Sequence, residues 1–234
     1  QKHCMHISNN PNAALIAIAD INSDLKYENF INQVTIDNLL SNKLIDVVNI
    51  CTPNGLHAQQ AIQCLNANKH VVIEKPMALS TNDSKEIEIA SIKNNKFVFC
   101  VMQNRFSPPS QWLKNLILSK TIGNIFSIQI NCFWNRDDRY YTPNHWHGNM
   151  ILDGGPLFTQ FSHFIDLLYW IFGEININYA QFENFNHSHS TEFEDSGIVT
   201  FSINSGGVGS INYSTSVFDT NFESSISIIG EMEQ

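Results

Sequence analysis

Short apolar runs alternate with helical stretches between residues 13 and 103, and this alternation restricts the folds that the chain can adopt. The runs are rich in β-branched residues and cover 15–19, 46–51, 70–74 and 97–102. They are apolar on both faces, as is typical of strands buried in a parallel sheet. Segments 56–66 and 80–94 carry apolar residues at helical spacing and lie between successive runs. The sequence therefore predicts an α/β domain with a parallel sheet.

The pattern changes after Pro108 and Pro109. A predicted helix over 110–119 is followed by long segments of alternating polarity at 125–134, 176–185, 197–203, 208–216 and 224–229. Alternation of this kind is typical of antiparallel strands with one polar face. One strong helix is predicted over 156–172, with Pro156 in its first turn and Gly173 at its end. We expect two domains, at 1–106 and 107–234.

Charge and composition exclude several classes of function. The chain has 234 residues, with 13 Lys and Arg against 22 Asp and Glu, which gives a formal net charge of −9. Nucleic-acid binding needs a basic face, so this balance argues against it. No window approaches the roughly 18 apolar residues of a membrane span. The cysteines, five in number, are widely spaced, which fits reduced thiols in a cytoplasmic protein.

Asp20 follows the first apolar run, where a dinucleotide-binding sheet carries the acid that binds a cofactor ribose. A carboxylate at this point favours NAD over NADP. The alternative is an aspartate that begins a turn, and since no glycine fingerprint precedes it, both interpretations stay open. The chain begins with residues that predict a helix, so we expect the preceding strand and glycine loop to be missing.

Three loops follow the next three predicted strands, at the sheet edge where ligands bind in open α/β folds. The candidate binding residues are Thr52, Pro53, Asn54 and His57 in the first loop, Glu74 and Lys75 in the second, and Gln103 and Arg105 in the third. Lys75 precedes Pro76, and an X-Pro bond adopts the cis form at modest cost. The alternative for Lys75 is a solvated lysine in an ordinary strand-to-helix turn.

A second polar group lies in the apolar helix predicted over 156–172. Thr159, His163 and Asp166 would share one face of that helix, with Gln160 beside them. Histidine titrates near neutral pH, so His163 is a candidate general base. A lone histidine on such a helix is, however, more often a satisfied core residue.

Together these stretches resemble the glucose-fructose oxidoreductase/inositol dehydrogenase/MocA family of NAD(P)-dependent sugar dehydrogenases. The resemblance is carried by Asp20, the 52–57 loop, Glu74-Lys75-Pro76, Arg105, and the Gly154-Gly155 helix with His163 and Asp166, in the family's order and approximate spacing. It implies an N-terminal Rossmann domain and a C-terminal α+β domain with an open, mostly antiparallel sheet. It also implies a homodimer or homotetramer for the full-length protein.

The resemblance assigns roles to residues. Lys75 and His163 would be catalytic, with Lys75 near the nicotinamide and His163 as the base on the reacting hydroxyl. Cofactor binding would fall to the strand-end residues named above, from Asp20 to Arg105. The substrate, a sugar or UDP-sugar, would be bound by Lys75, Arg105, Tyr140, Trp146, Thr159, Gln160 and His163.

Two departures from the family pattern bear on the substrate and on folding. Many members have Asp four residues before the catalytic histidine, whereas this chain has Thr159 followed by Gln160. That pair, with the aromatic loop over 136–148, resembles the branch that oxidises carbon 3 of a UDP-N-acetylhexosaminuronate. The second departure is truncation at both ends. We therefore expect the 234-residue chain neither to fold stably nor to bind NAD alone, and a cooperative melt raised by NAD would contradict this.

Three other functions remain as alternatives. A redox-neutral glycoside hydrolase on the same fold retains NAD, and the motifs barely separate it from a dehydrogenase. A sugar sensor without activity is the second, and retention of Lys75 and His163 argues against it. A metal enzyme would need ligands such as His145, His147, His163 and Cys132, but these show no recognised ligand pattern. We expect no metal.

Overall fold

A computed structural model describes residues 2–22, 32–143 and 145–232. The chain divides into two compact units, the first made of residues 1–52 and 56–101 and the second of residues 53–55 and 102–234. The short 3-10 helix Gln103–Phe106, which the sequence analysis assigns to the first domain, belongs to the second unit.

The first unit contains the expected parallel sheet. Its strands are β1 (Val47–Ile50), β2 (His70–Ile73) and β3 (Val98–Cys100), in the order β1-β2-β3. Val71 pairs with Val48 on one side and with Val98 on the other. Val71 and Ile73 have no exposed surface, which explains the apolar character of these runs.

The helices of the first unit are α1 (Lys2–Ser8), α2 (Ile36–Ser41), α3 (His57–Asn66) and α4 (Thr81–Asn94). The ends predicted for the fourth helix are confirmed. Ser80 Oγ accepts a hydrogen bond from the Asp83 amide at 3.0 Å, as an N-cap does. Asn95 ends the helix with a left-handed φ of 52°.

The strand expected over 15–19 is not formed among the described residues. A single bridge joins Ile18 to Gln33, in which Ile18 donates to the Asn32 carbonyl at 3.1 Å and accepts from Val34 at 2.9 Å. Ile16, Ala17 and Ala19 pack against the core of the unit. Packing against the core therefore explains why these side chains are apolar. A strand would also need a continuous ladder of backbone hydrogen bonds.

The second unit contains a five-stranded sheet in the order β5-β6-β7-β4-β8. Its strands are β4 (Ile125–Phe133), β5 (Ile175–Glu183), β6 (Ser196–Ile203), β7 (Val208–Ser214) and β8 (Glu223–Gly230), and helix α5 (Pro108–Leu118) precedes them. Neighbouring strands are antiparallel except β4 and β7. The mostly antiparallel sheet is thus confirmed, with one parallel pair.

The long helix predicted over 156–172 is two helices, α6 (Pro156–Thr159) and α7 (Ser162–Phe172). The amides of Gln160 and Phe161 both donate to the Pro156 carbonyl, at 2.9 and 2.8 Å, which interrupts the helical pattern. The Phe161 ring is fully buried, with its centroid 5.1 Å from that of Trp134. The break separates Thr159 from His163, so the two do not lie on one continuous helix as predicted.

The five cysteines all lie in the described part of the chain, and none takes part in a disulfide. Over the part of the chain that the structure describes, no helix has the length and apolar character needed to cross a membrane.

Candidate active site

The first unit holds Glu74 and Lys75 in the segment that follows β2. Glu74 Oε1 lies 2.7 Å from His3 Nε2, and Glu74 Oε2 accepts from the Lys75 amide at 3.2 Å. His3 Nδ1 lies 2.8 Å from the amide nitrogen of Asn49, which can only donate. His3 is therefore the Nε2–H tautomer, and it donates to Glu74. The peptide bond from Lys75 to Pro76 is cis.

The resemblance implies that His57 contacts the cofactor, whereas in the structure its ring bonds to the protein backbone. Its ring is 1% exposed. Nδ1 lies 2.7 Å from the Pro76 carbonyl oxygen and Nε2 lies 2.8 Å from that of Thr52. A carbonyl oxygen only accepts, so the ring nitrogen that bonds to it is the donor. His57 holds two backbone segments together and offers no ring nitrogen to a ligand.

The other two predicted cofactor residues of the first unit lie on its surface or at half depth. Asp20 is exposed, and its carboxylate accepts a hydrogen bond from the Asn22 amide at 2.9 Å. Thr52 is half-buried, and its hydroxyl donates to Gln60 Oε1 at 2.7 Å. The exposed carboxylate of Asp20 suits a ribose hydroxyl, which needs an acceptor.

The second unit brings Asn54, Asp153 and Thr159 together in a buried network. Asn54 Nδ2 donates to the Asp153 carbonyl and to the Thr159 hydroxyl, both at 2.8 Å. The Thr159 hydroxyl donates in turn to the Asp153 carboxylate, which has no exposed surface. The Gly148 amide donates to the same carboxylate at 3.0 Å. Asp153 was not among the predicted site residues, although it directly precedes the Gly-Gly pair.

Aromatic side chains of the 136–148 loop stack beside this network. The ring of His147 lies 4.2 Å from that of Tyr140 and 3.7 Å from that of Trp146, centroid to centroid. His147 Nδ1 lies 3.4 Å from the Asp153 carboxylate, within ion-pair range. The Arg136 guanidinium lies 5.0 Å from the Trp134 ring centroid and 5.2 Å from that of Tyr140. The stacking packs the rings of Tyr140, Trp146 and His147 against one another.

Gln160 and Tyr140, both predicted to bind substrate, are hydrogen-bonded to each other. Gln160 Nε2 donates to the Tyr140 hydroxyl at 3.1 Å. Burial, with a contribution from the Asp153 charge, raises the pKa of Tyr140 to about 12. Gln160 is 4% exposed, and its Oε1 has no hydrogen-bond partner among the described residues. A buried acceptor of this kind is suited to a ligand donor.

Arg105 forms a two-point ion pair. Its Nε donates to Asp166 Oδ2 at 2.8 Å, and its Nη2 donates to Asp166 Oδ1 at 2.5 Å. The Arg105 guanidinium also lies 5.9 Å from the Trp170 ring centroid. The pair fixes Arg105 against α7 by two of its donor groups.

The remaining predicted residues have simpler surroundings. His163 is the second residue of α7 and is half-buried. Gln103 is exposed, and Pro53 and Trp146 are half-buried. Across the residues with described positions, no three His, Cys, Asp or Glu side chains gather in a metal-binding group. Cys132, one of the ligands considered for a metal, is buried in the core of the second unit.

Comparison with known families accounts for both units. Residues 1–101 match an oxidoreductase family domain, described as an NAD-binding Rossmann fold. Residues 110–233 match the GFO/IDH/MocA C-terminal domain.

Individual relatives include an oxidoreductase and a hydratase. The chain is 31% identical over 174 residues to an oxidoreductase of Formosa agariphila, covering 70% of this chain and 54% of that protein. It is 32% identical over 149 residues to 2,7-anhydro-N-acetylneuraminate hydratase of Escherichia coli, covering 62% of this chain and 38% of that protein.

A solved structure is similar over most of the chain. The WlbA dehydrogenase of Bordetella pertussis, in complex with NADH and UDP-GlcNAcA, superposes with a TM-score of 0.86 at 32% identity, covering 94% of this chain and 64% of that chain. The chain thus spans between one third and two thirds of the length of these proteins. With family domains matched over 1–101 and 110–233, the chain belongs to the GFO/IDH/MocA oxidoreductase family, whose N-terminal domain is an NAD-binding Rossmann fold.

Proposed function

We propose that the protein is an NAD-dependent dehydrogenase that oxidises a secondary hydroxyl of a nucleotide-activated N-acetylhexosaminuronate, at carbon 3. Similarity to the WlbA dehydrogenase, solved with NADH and UDP-GlcNAcA, supports the substrate class. The Thr159-Gln160 pair before His163 supports the same branch.

The observation that carries the proposal is the buried amide of Gln160. Its Nε2 is fixed by Tyr140, while Oε1 is left without a partner in the part of the chain that the structure describes. An unpaired buried carbonyl oxygen costs about 1–3 kcal/mol unless a ligand supplies a donor. Sugar hydroxyls and acetamido N–H groups are such donors, and Gln160 lies three residues before the proposed base.

The chemistry of the first unit fits NAD. The exposed carboxylate of Asp20 accepts hydrogen bonds, as binding of the ribose hydroxyls requires, and it would repel the 2′-phosphate of NADP. The segments that begin at Thr52 and Glu74 follow parallel strands, at the edge where a dinucleotide binds. NAD supplies the acceptor for a hydride.

The chain's own residues supply proton transfer and orientation. His163 removes the proton from the substrate hydroxyl while the hydrogen on the same carbon leaves as hydride, giving a ketone. Lys75 contacts the reacting hydroxyl and stabilises the negative charge that develops on its oxygen. Gln160 binds a neighbouring substituent of the sugar. Arg105, with Asp166, supports α7, which carries His163.

Location and assembly belong to the same proposal. The lack of a disulfide among the five cysteines supports a reducing, cytoplasmic location. A homodimer or homotetramer for the full-length protein stays a prediction, and size-exclusion chromatography with light scattering tests it.

The first experiment measures NADH formation by the full-length protein with NAD and a panel of UDP-hexosamines, UDP-uronates and free sugars. We expect NADH with the UDP-N-acetylhexosaminuronate only. His163→Asn and Lys75→Met should each lower kcat by about a hundredfold or more while NAD still binds. NADH formation with a free sugar alone would overturn the nucleotide-sugar proposal.

A redox-neutral reaction is the second candidate, and the similarity to a hydratase favours it. In such a reaction the sugar is converted without net NADH. Mass spectrometry of the same mixtures separates the two candidates: a changed sugar without NADH supports the redox-neutral enzyme. NAD-loaded protein that binds a UDP-sugar and converts nothing would support the sensor.

A further inference from the structure

Two histidine side chains hold the Glu74-Lys75-Pro76 segment, one on each side of Lys75. On the N-terminal side, His3 Nε2 donates to the Glu74 carboxylate at 2.7 Å. On the C-terminal side, His57 Nδ1 donates to the Pro76 carbonyl at 2.7 Å. The Lys75 amide donates to Glu74 Oε2 at 3.2 Å, so the backbone of Lys75 is tied to the first of these contacts directly.

Each histidine is itself anchored at a second point. His57 is bonded through Nε2 to the Thr52 carbonyl at 2.8 Å, and its ring is 1% exposed. His3 accepts from Asn49 Nδ2, which fixes which nitrogen faces Glu74. Asn49 lies within β1 and Thr52 follows that strand, so both histidines bond to the same part of the sheet. The segment that carries Lys75 is therefore braced against the sheet by two imidazoles.

We propose that His57 and His3 are positioning residues for Lys75, acting through the Pro76 carbonyl and the Glu74 carboxylate. The inference rests on the proposed function, in which Lys75 contacts the reacting hydroxyl. An error of about 1 Å in the position of such a group can cost about a hundredfold in rate. Neither histidine touches substrate or NAD in this proposal, since their ring nitrogens are taken up by protein groups.

Matched amide substitutions separate the two bonds of His57. The amide nitrogen of Asn occupies the position of His Nδ1, whereas that of Gln occupies the position of His Nε2. His57→Asn therefore keeps the donor to Pro76, and His57→Gln keeps only the donor to Thr52. We expect kcat to fall about tenfold or more in His57→Gln and much less in His57→Asn, with KM for NAD unchanged in both.

At His3 the effects of Asn and Gln are reversed. The His3 side chain is more exposed than that of His57, so its substitution is less disruptive to folding. His3→Gln keeps the donor to Glu74, whereas His3→Asn loses it. We expect kcat to be retained in His3→Gln and reduced in His3→Asn. Thermal melts accompany each variant. Equal losses within each pair, or losses that follow the melting temperature, would assign the histidines a purely structural part and overturn the proposal.

A second readout does not depend on turnover. Reductive methylation with ¹³C-formaldehyde labels the lysine amines, and the Lys75 signal is identified by its absence in Lys75→Arg. We expect this signal to shift in His57→Gln and His3→Asn. It should stay in place in His57→Asn and His3→Gln. If the protein without substitutions oxidises no sugar, the proposed function is wrong. The Lys75 signal still tests whether the histidines position Lys75. An unmoved signal in all four variants would contradict it.

Discussion

The hydroxyl of Thr159 donates a hydrogen bond to the buried carboxylate of Asp153. The same hydroxyl accepts from Asn54 Nδ2 at 2.8 Å, so one side chain connects an acid with an amide from a distant part of the sequence. The family resemblance predicts an acid four residues before His163, the proposed base. In this chain that position holds Thr159, and the nearby acid is Asp153, six residues earlier.

Removing the Thr159 hydroxyl should destabilise the second unit. Thr159→Val keeps the shape of the side chain but withdraws a donor from a carboxylate that cannot reach water, which costs about 1–3 kcal/mol. Thr159→Ser keeps the hydroxyl and should cost less than Thr159→Val. Urea denaturation of the full-length protein measures both. Equal free energies of unfolding for the two variants would show that the hydrogen bond contributes nothing.

A side chain at Gly55 should displace the neighbouring Asn54. A Cβ atom there would lie 2.0 Å from the Ile151 carbonyl oxygen, and the Gly55 amide donates to the Leu152 carbonyl at 2.9 Å. Gly55→Ala must therefore move backbone and weaken the Asn54 contacts, with a loss of about 2 kcal/mol or more. Gly206→Ala is the control, because nothing lies within 4 Å of its added Cβ and only its φ of +97° opposes the change. A loss at Gly55 no larger than that at Gly206 would refute the close approach.

Local signals in the sequence predicted most of the secondary structure. Ser80 and Asn95 bound α4 through contacts within one turn, so residue type and spacing suffice to locate them. The break after Thr159 has another origin. It depends on the Asp153 carboxylate and on burial of the Phe161 ring against Trp134, which are tertiary contacts without a helical period.

The residues of the candidate site divide in the same way. Lys75 and His163 stand in motifs whose order and spacing are legible in the sequence. The bonds of His57 are not, since its partners are the backbone carbonyls of Thr52 and Pro76, and every residue has a carbonyl. His3 carries no motif at all, and only the fold brings it to Glu74.

Replacing Arg105 by lysine should lower the free energy of unfolding, with little change in the affinity for NAD. Lysine cannot form the two-point pair with Asp166, so Arg105→Lys and Asp166→Asn should each cost about 1 kcal/mol, and the double variant less than their sum. A double-mutant cycle in urea measures this coupling. The dissociation constant for NAD, measured by calorimetry, should stay within about threefold in both variants. A large rise in Arg105→Lys alone would instead assign Arg105 to the cofactor.

Alkaline pH should destabilise the protein through Tyr140. Burial raises its pKa from 10.0 to about 12, so the folded state favours the neutral phenol. The contribution to the free energy of unfolding is complete below the ordinary pKa and is lost as pH rises through the folded value. Over this interval the loss is roughly 2 kcal/mol. Denaturation across the same interval should show a smaller pH dependence in Tyr140→Phe than in the unmodified protein. Tyr179→Phe, which alters an exposed side chain, is the control and should leave the slope unchanged. If Tyr140→Phe also leaves the slope unchanged, the Tyr140 phenol is more accessible to water than its burial implies.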